Sequence, residues 1–277
     1  MGLFNWLKKE QPKKQAETTS KEAVEQAVEA TDSLLLAMPM FEKGEKYSIE
    51  AVLAYLTQTW GYEIEGQDYD DTTAVLTTQG TMFAIAFMPA PIPENDVQHS
   101  AQFAYNWETV LEDIQEVDSH AIVSVVSGAM DVVERHLLLS RILFAIMATT
   151  PACVGVYQGS QTLLIPREQY LDYAQELEEG KVVVPLWIYI GLRTTTEGNS
   201  LYTYGLSGFG KQEIEIVNSP LALDELYGFL VNISSYVIGS DVVLQHGETL
   251  GYTAEQKINI TSSAGVFVEG QTLKLAM

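Results

Sequence analysis

Three aspartates lie close together in the first third of the chain: Asp68, Asp70 and Asp71. Clustered carboxylates of this kind are the ligands that hard divalent cations prefer. The calcium-loop pattern is absent, because no glycine stands at the required turn position and no glutamate closes the loop. We therefore expect a solvated acidic loop and no bound metal. The three aspartates remain the candidate site for the alternative of a metal-binding protein or enzyme.

The segment Gly205–Lys211 has the G-x-x-x-x-G-K spacing of a phosphate-binding loop. Such a loop must open a helix, whose N-terminal amides hold the phosphate. Here Gln212 stands where a serine or threonine would hold the metal, and the residues that follow alternate as in a β-strand. We predict a glycine-rich turn between two strands, and we expect no nucleotide or other cofactor.

Two acidic residues just after this turn, Glu213 and Glu215, alternate with Ile214 and Ile216. Alternation of polar and apolar residues is typical of a strand with one solvated face and one buried face. The two carboxylates are accordingly predicted to face solvent. Catalysis by a pair of carboxyl groups would need a second carboxyl group facing one of these residues, and the sequence does not identify such a group.

The histidines carry no zinc pattern, because none has a second histidine at ligand spacing. His136 lies between Arg135 and Arg141 in an apolar stretch, where a buried imidazole needs hydrogen-bond partners. We interpret it as a structural group rather than a catalytic one. No G-x-S-x-G nucleophile motif is present either, so no catalytic residue is assigned and the sequence favours a protein without enzymatic activity. The other histidines are His99, His120 and His246.

The elements that must position these residues form two predicted lobes, the first over residues 33–165. A buried strand at 34–41 is followed by a helix capped by Ser48, two strands around Gly80, a helix from Ser100 to Val117, and a further strand. This order, strand–helix–strand–strand–helix–strand, is that of a ferredoxin-like sandwich. An apolar helix over residues 130–148 and a hairpin complete the acidic α+β lobe.

The second lobe, residues 166–277, is predicted to be a mixed lobe with strand hairpins around a helix. A polar helix begins at Pro166, a strand follows over 182–192, and a longer helix begins at Ser219–Pro220 and ends at Gly239. The last residues alternate as a closing hairpin. We expect both lobes to pack as one α+β body.

Residues 1–32 form a polar and basic tail that we expect to be disordered or weakly helical. Its first turn combines Leu3, Phe4 and Leu7 with nearby lysines, and burial of these side chains on a lipid surface would be marginally favourable. Membrane contact is therefore predicted only if residues 1–15 bind a surface. A peripheral membrane-associated factor is one alternative function.

The charge of the chain is strongly segregated. The net charge is -22, and residues 47–134 contain fifteen Asp and Glu residues but no Lys or Arg. Such a surface disfavours nucleic acid and suits a basic protein partner. Cys153 is the single cysteine and no secretory pattern is present, so we expect a buried thiol, no internal disulfide and a cytoplasmic location. The favoured function is a non-enzymatic protein-binding module, with toxin-neutralising (immunity-type) proteins as one such class.

The second half also carries a family resemblance. The segments VVVPLWIYIGLR, YTYGL with FGKQEIEI, and GETLGYTAEQKI, together with the early run LLLAMPMFEKG, resemble the bacterial domain-of-unknown-function family 4261, best over residues 182–277. The resemblance implies a bacterial, cytoplasmic α+β protein. It implies no reaction, and it carries over no functional residue.

Overall fold

The fold is built on two β-sheets and several helices, which confirms the mixed α+β class predicted from the sequence. Leu35–Met277 forms one compact unit. The predicted tail over residues 1–32, with its possible membrane contact through residues 1–15, lies outside the residues described. The division of the body at residue 165 stays a prediction. The computed structural model describes residues 34–66, 68–126, 128–251 and 257–277.

The first sheet contains seven strands in the described part of the chain, in the order β2-β3-β4-β5-β1-β6-β7. All neighbouring strands in this sheet are antiparallel. The strands are β1 (Leu35–Glu42), β2 (Ile64–Glu65), β3 (Thr73–Thr78), β4 (Thr81–Met88), β5 (Val117–Val125), β6 (Cys153–Gln158) and β7 (Leu163–Pro166).

The second sheet has six strands within the described ranges, in the order β11-β12-β13-β10-β9-β8. Its pairs are antiparallel except for β10 and β13, which run parallel. The strands are β8 (Tyr189–Thr195), β9 (Gly198–Tyr204), β10 (Ile214–Ser219), β11 (Thr249–Gly251), β12 (Lys257–Ala264) and β13 (Gln271–Leu275).

Two long helices and several short ones pack on these sheets. The described residues form α1 (Ile49–Gln58), α2 (Asp96–Ala101), α3 (Val110–Asp113), α4 (Val132–Thr149), α5 (Arg167–Asp172), α6 (Ala174–Glu178), α7 (Val184–Trp187) and α8 (Leu223–Gly239). Short 3-10 turns lie at Pro93–Asn95, Ile114–Glu116, Gly159–Gln161 and Leu206–Phe209. Among the residues described, no helix is both long and apolar enough to cross a membrane.

Two of the three helices predicted in the first half begin at side-chain caps. Ser48 Oγ accepts a hydrogen bond from the Ala51 amide at 3.2 Å at the start of α1. At the start of α4, Asp131 and Glu134 each accept a hydrogen bond from the other's backbone amide at 2.9 Å, which forms a capping box. Helix α4 then packs against α1 and the first sheet, and most of its side chains are buried. The predicted apolar helix over residues 130–148 is thereby confirmed.

The ferredoxin-like arrangement is not confirmed, because the sheet order differs from it. In that sandwich the first strand lies between the third and fourth strands. Here β1 pairs with β5 and β6, whereas β4 pairs with β5 and not with β1. The order of elements along the chain matched the sandwich. Strand pairing, however, depends on contacts between residues far apart in sequence, which no local pattern shows.

The predicted helix from Ser100 to Val117 is wrong. Helix α2 ends at Ala101, and only the short α3 and a 3-10 turn follow. The Trp107 indole NH donates to the Asp113 carboxylate at 2.6 Å, and the Trp107 side chain is buried in a small satellite cluster. In this series of turns the side chains of Trp107 and Val110 are both buried, and their burial stabilises the segment.

Three elements of the second half are shorter than predicted. The helix predicted from Ser219–Pro220 begins only at Leu223, because Ser219 still pairs with Asn199 in the sheet. The polar helix after Pro166 is divided into α5 and α6 at Tyr173. The predicted strand over 182–192 begins only at Tyr189, because Pro185 lies in the first turn of the short helix α7. Helix α7 places the Trp187 ring in the core, where its indole NH donates to Ser140 Oγ of α4 at 2.8 Å. One hydrophobic core therefore contacts both sheets.

Candidate functional site

The three aspartates predicted as a possible metal site lie in an exposed loop before β3. Asp70 Oδ1 accepts hydrogen bonds from the Thr72 amide at 2.8 Å, the Thr72 hydroxyl at 2.7 Å and the Thr73 amide at 2.9 Å. These bonds, the Thr72 amide first, lower the pKa of Asp70. Within the described ranges, no group of three or more His, Cys, Asp or Glu side chains is arranged to hold a metal. Asp68 and Asp71 flank this turn without completing a donor set.

A concave surface that we call the aromatic cleft lies on the second sheet. It encloses about 630 Å³ between strands β8 and β9, the turn after β9 and the loop before β13. A volume of this size is typical of sites for small molecules. Its aromatic walls are Phe103, Tyr189, Tyr202, Tyr204 and Phe267.

One wall of the aromatic cleft, the loop 265–270, is held by the buried carboxylate of Glu215. This carboxylate accepts hydrogen bonds from the amides of Val266, Phe267 and Val268 at 2.9–3.2 Å, and it pairs with the Lys274 ammonium at 2.9 Å. Burial raises the pKa of Glu215, but the amides and Lys274 outweigh burial, so its pKa is lowered overall. The prediction that this side chain faces solvent is wrong, because Glu215 is 0% exposed.

The opposite wall, the turn 205–210, is held in the same way by Glu213. Its carboxylate accepts from the Thr203 hydroxyl at 2.7 Å, the Gly205 amide at 2.9 Å and the Ser207 amide at 3.0 Å. Glu213 is also buried, contrary to its predicted solvated position. The glycine-rich segment is a short 3-10 turn between β9 and β10, as predicted. Two amides that a bound phosphate would need are thus already bonded to the protein's own carboxylate.

The aromatic ring of Tyr202 lies over β8 and forms the floor of the aromatic cleft. Tyr202 faces Gly191 on the neighbouring strand, and a Cβ atom at position 191 would come within 2.1 Å of the tyrosine ring. The Tyr202 ring also stacks on Phe267, with centroids 5.2 Å apart and planes 21° apart. The Arg193 guanidinium lies 5.7 Å from the Phe267 centroid. Because Gly191 has no Cβ atom, the Tyr202 ring can lie against β8 and at the same time contact Phe267 of the loop 265–270.

Substituting Gly191 with alanine is expected to displace the Tyr202 ring and open the aromatic cleft. Because the clashing atoms belong to a side chain that can rotate, we expect a modest loss of about 1–3 kcal/mol in the free energy of unfolding. The measurement is denaturant unfolding combined with the NMR shifts of the Phe267 ring. Gly208→Ala is the control, since a Cβ atom there meets no atom within 4 Å. Unchanged Phe267 shifts in the Gly191 variant would contradict this packing.

A second concave surface, which we call the acidic groove, lies between α3 and the start of α5. It encloses about 430 Å³. The Trp107 ring forms its base and packs on Gly155 of β6, where a Cβ atom would come within 2.6 Å of the ring. Arg167 lies in the groove, and its Nε donates to the Met147 carbonyl at 3.1 Å. The carboxylates lining the groove are Glu42, Glu112, Asp113, Glu116 and Glu168.

His136 lies in the core rather than on either concave surface. Its Nδ1 donates to the Val132 carbonyl at 2.7 Å, and its ring lies 4.3 Å from Phe209 and 5.3 Å from Trp187. Burial, with a smaller effect of neighbouring Arg135, lowers the pKa of His136 to about 4. The imidazole is therefore neutral and structural near neutral pH, in agreement with its interpretation from the sequence.

The remaining predicted groups are also held by the fold. His120 Nδ1 donates to the Ala90 carbonyl at 2.7 Å, and His246 Nδ1 accepts from the Ser262 amide at 3.1 Å. His99 is exposed. Cys153 is buried as predicted, and burial raises the pKa of its thiol to about 12, so it is not a reactive thiolate at neutral pH.

Sequence reasoning did not find the aromatic cleft, although one signal was present. Tyr202 and Tyr204 alternate on a strand, which places both rings on the same face. The opposing rings come from Phe103, Tyr189 and Phe267, in distant segments. The register of β8 and β9 places Tyr189 opposite Tyr204, whereas Phe103 and Phe267 come from loops that reach the cleft through tertiary contacts.

Comparison with known proteins agrees with the resemblance seen in the sequence. Residues 202–276 match the model of a family described as Domain of unknown function (DUF4261). The matched segment includes both carboxylates that hold the cleft walls, Glu213 and Glu215, and the loop 265–270. No curated protein and no solved structure was found to match the chain.

Proposed function

We propose that the protein is a non-enzymatic, cytoplasmic binding module that holds a basic segment of a partner protein in the acidic groove. The observation that carries this proposal is the convergence of five carboxylates around one concave surface of about 430 Å³. Toxin-neutralising proteins are one class with this mode of action. The single buried thiol, Cys153, is compatible with a reducing compartment.

One carboxylate of the groove, that of Asp113, is held in its charged form by hydrogen bonds. The Asp113 carboxylate accepts hydrogen bonds from the Thr109 hydroxyl at 2.7 Å and the Trp107 indole at 2.6 Å, and these bonds lower its pKa. Glu112 and Glu116 are exposed and face solvent beside it. The Asp113 carboxylate is therefore held in place by two side chains, and Glu112 and Glu116 extend into solvent beside it.

The groove's own cation does not cancel this charge. Arg167 lies 3.8 Å from Glu168, and the Glu168 side chain is 80% exposed, so this pair is a weak surface interaction. The remaining carboxylates are left to attract a cationic partner. The excess of acidic residues over 47–134 extends the same negative potential beyond the groove, which should speed association with a basic protein.

Removing two rim charges is expected to weaken binding of a basic peptide selectively. In Glu112→Gln with Glu116→Gln, the loss of two exposed ion pairs should reduce affinity about 2- to 30-fold, since each such pair contributes about 0.2–1 kcal/mol. Fluorescence anisotropy with a labelled peptide of arginine and glycine, at low and moderate salt, measures this change. The salt dependence should also become shallower.

The matched control is Glu63→Gln with Glu65→Gln, which removes the same charge from exposed positions outside the groove. Equal weakening by both double substitutions would show that the peptide is attracted by the overall negative charge. That result would contradict the groove as the binding surface. The same variants can be immobilised and exposed to lysate of the source organism. The groove variant should then capture less of the natural partner, and the control variant should capture as much as the wild type.

A further inference from the structure

The aromatic cleft is separate from the acidic groove and offers a different chemistry. We propose that the aromatic cleft binds a small organic cation, an ammonium group with an apolar body. Aromatic faces attract cations through the negative charge of their π-systems, and the attraction grows as the cation loses water. Tyr204 is 40% exposed and Phe103 is 38% exposed at this cleft, so their rings are accessible to a ligand.

The charged groups that line the cleft leave one carboxylate available. Lys211 lines the cleft, but its ammonium is paired with Asp241 and its side chain is only 7% exposed. The Glu213 carboxylate is buried and already accepts three hydrogen bonds, from Thr203 and from the turn that it holds. Glu269 is exposed on the opposite wall and forms no hydrogen bond or ion pair among the residues described. Glu269 therefore supplies the negative charge that a cationic ligand would meet.

Anionic ligands are disfavoured by the same walls. Backbone amides that point together could hold a phosphate or carboxylate. On one wall the amides of Gly205 and Ser207 are bonded to Glu213, and on the other the amides at 266–268 are bonded to Glu215. Both potential anion sites are thus occupied by the protein's own carboxylates. The net charge of -22 adds a long-range repulsion for anions.

Further polar groups can orient the apolar body of the ligand. The side chains of Ser207, Gln212 and Gln271 line the cleft. Amide and hydroxyl groups can both donate and accept hydrogen bonds, so they can hold a hydroxyl or carbonyl on the ligand. The volume of about 630 Å³ leaves room for such a body beside the ammonium group.

The test compares choline with 3,3-dimethylbutan-1-ol, which has the same shape without the charge. NMR titration of the full chain at constant ionic strength should show saturable choline shifts for resonances of the cleft tyrosines. The neutral analogue should bind about 3- to 30-fold more weakly, the range expected for a cation–π contact. A trimethyllysine peptide titrated in parallel tells whether a free compound or a protein side chain is the preferred source of the ammonium.

Two variants assign the binding to this cleft. Tyr204→Leu, which keeps an apolar side chain but removes the ring, should weaken choline binding by about 3- to 10-fold. Glu269→Gln, which removes one exposed charge, should weaken it by about 1.5- to 5-fold. Tyr236→Leu changes an exposed tyrosine of α8 outside the cleft and should have no effect. The Glu112→Gln, Glu116→Gln pair should also leave choline binding unchanged, which separates this proposal from the acidic groove.

Three results would overturn the proposal. Equal binding of choline and its neutral analogue would show a merely apolar cleft. Loss of choline binding in the acidic-groove variant but not in the Tyr204 variant would place the cation elsewhere. Absence of saturable shifts with both choline and the trimethyllysine peptide would remove the ligand class altogether.

Discussion

Glu215→Gln is expected to lower the free energy of unfolding by about 3 kcal/mol near neutral pH. Removing one member of a buried ion pair usually costs about 3–5 kcal/mol, because the remaining charge is left without compensation. We expect the lower end, since the Lys274 side chain is 17% exposed and can regain some hydration. Denaturant unfolding measured by circular dichroism gives the change, and NMR of loop 265–270 should show that it detaches.

The pH dependence checks the mechanism of this effect. The pKa of Glu215 is lower in the folded protein than its ordinary value of 4.5, so the carboxylate stabilises the fold above that pH. This stabilisation is lost as the pH falls through the native pKa. The difference between wild type and Glu215→Gln should therefore shrink in acid. Glu63→Gln, at an exposed position, is the control. A difference that stays constant through the acid range would contradict a role for the ionised carboxylate.

The sequence predicted those elements that are determined by neighbouring residues. The cap of α1 requires only Ser48 and the amide three residues later, and the end of α8 at Gly239 follows a helical apolar pattern. The strands β3 and β4 show alternating burial on either side of Gly80, where two strands were predicted. In these segments the local preference and the tertiary structure agree.

The sequence failed where distant segments decide the structure. Alternation around Glu215 correctly indicated a strand, but it could not show that three amides of loop 265–270 would cover the acidic face. Burial of Trp107 likewise overrode the helical spacing after Ser100. In the first case a polar residue was taken to be exposed, although long-range hydrogen bonds hold it in the interior. In the second case helical periodicity was taken to mean a helix, although burial of distant side chains determined the structure.

The candidate sites show the same limit. Asp68, Asp70 and Asp71 are neighbours in sequence and were therefore easy to notice, yet the Asp70 carboxylate is used within its own turn. The aromatic rings of the cleft come from three separated parts of the chain, and the tertiary contacts between these parts had to be known before the rings could be grouped. The need for glycine at position 191 can be explained only when Tyr202 is known to lie opposite it.

His136 is expected to make the protein less stable as the pH falls from 6.5 towards 4. The pKa of His136 is about 4 in the folded protein and near 6.5 when the chain is unfolded. The unfolded chain therefore binds the extra proton first, and protonation favours unfolding throughout this interval. The full effect is about 3 kcal/mol, since one pKa unit corresponds to about 1.4 kcal/mol. Unfolding free energies measured at several pH values give the slope.

His136→Phe should remove most of this slope, because a phenyl ring can stack on Phe209 without taking up a proton. Its loss of the hydrogen bond to Val132 should cost little, since that carbonyl also lies within the helical hydrogen-bond pattern of α4. The control is His99→Gln, an exposed histidine whose removal should leave the slope unchanged. Carboxylates such as Glu215 lose their stabilising effect only below about pH 4.5, so the upper part of the interval isolates the imidazole. Parallel curves for wild type and His136→Phe between pH 6.5 and 5 would show that His136 does not carry the acid sensitivity.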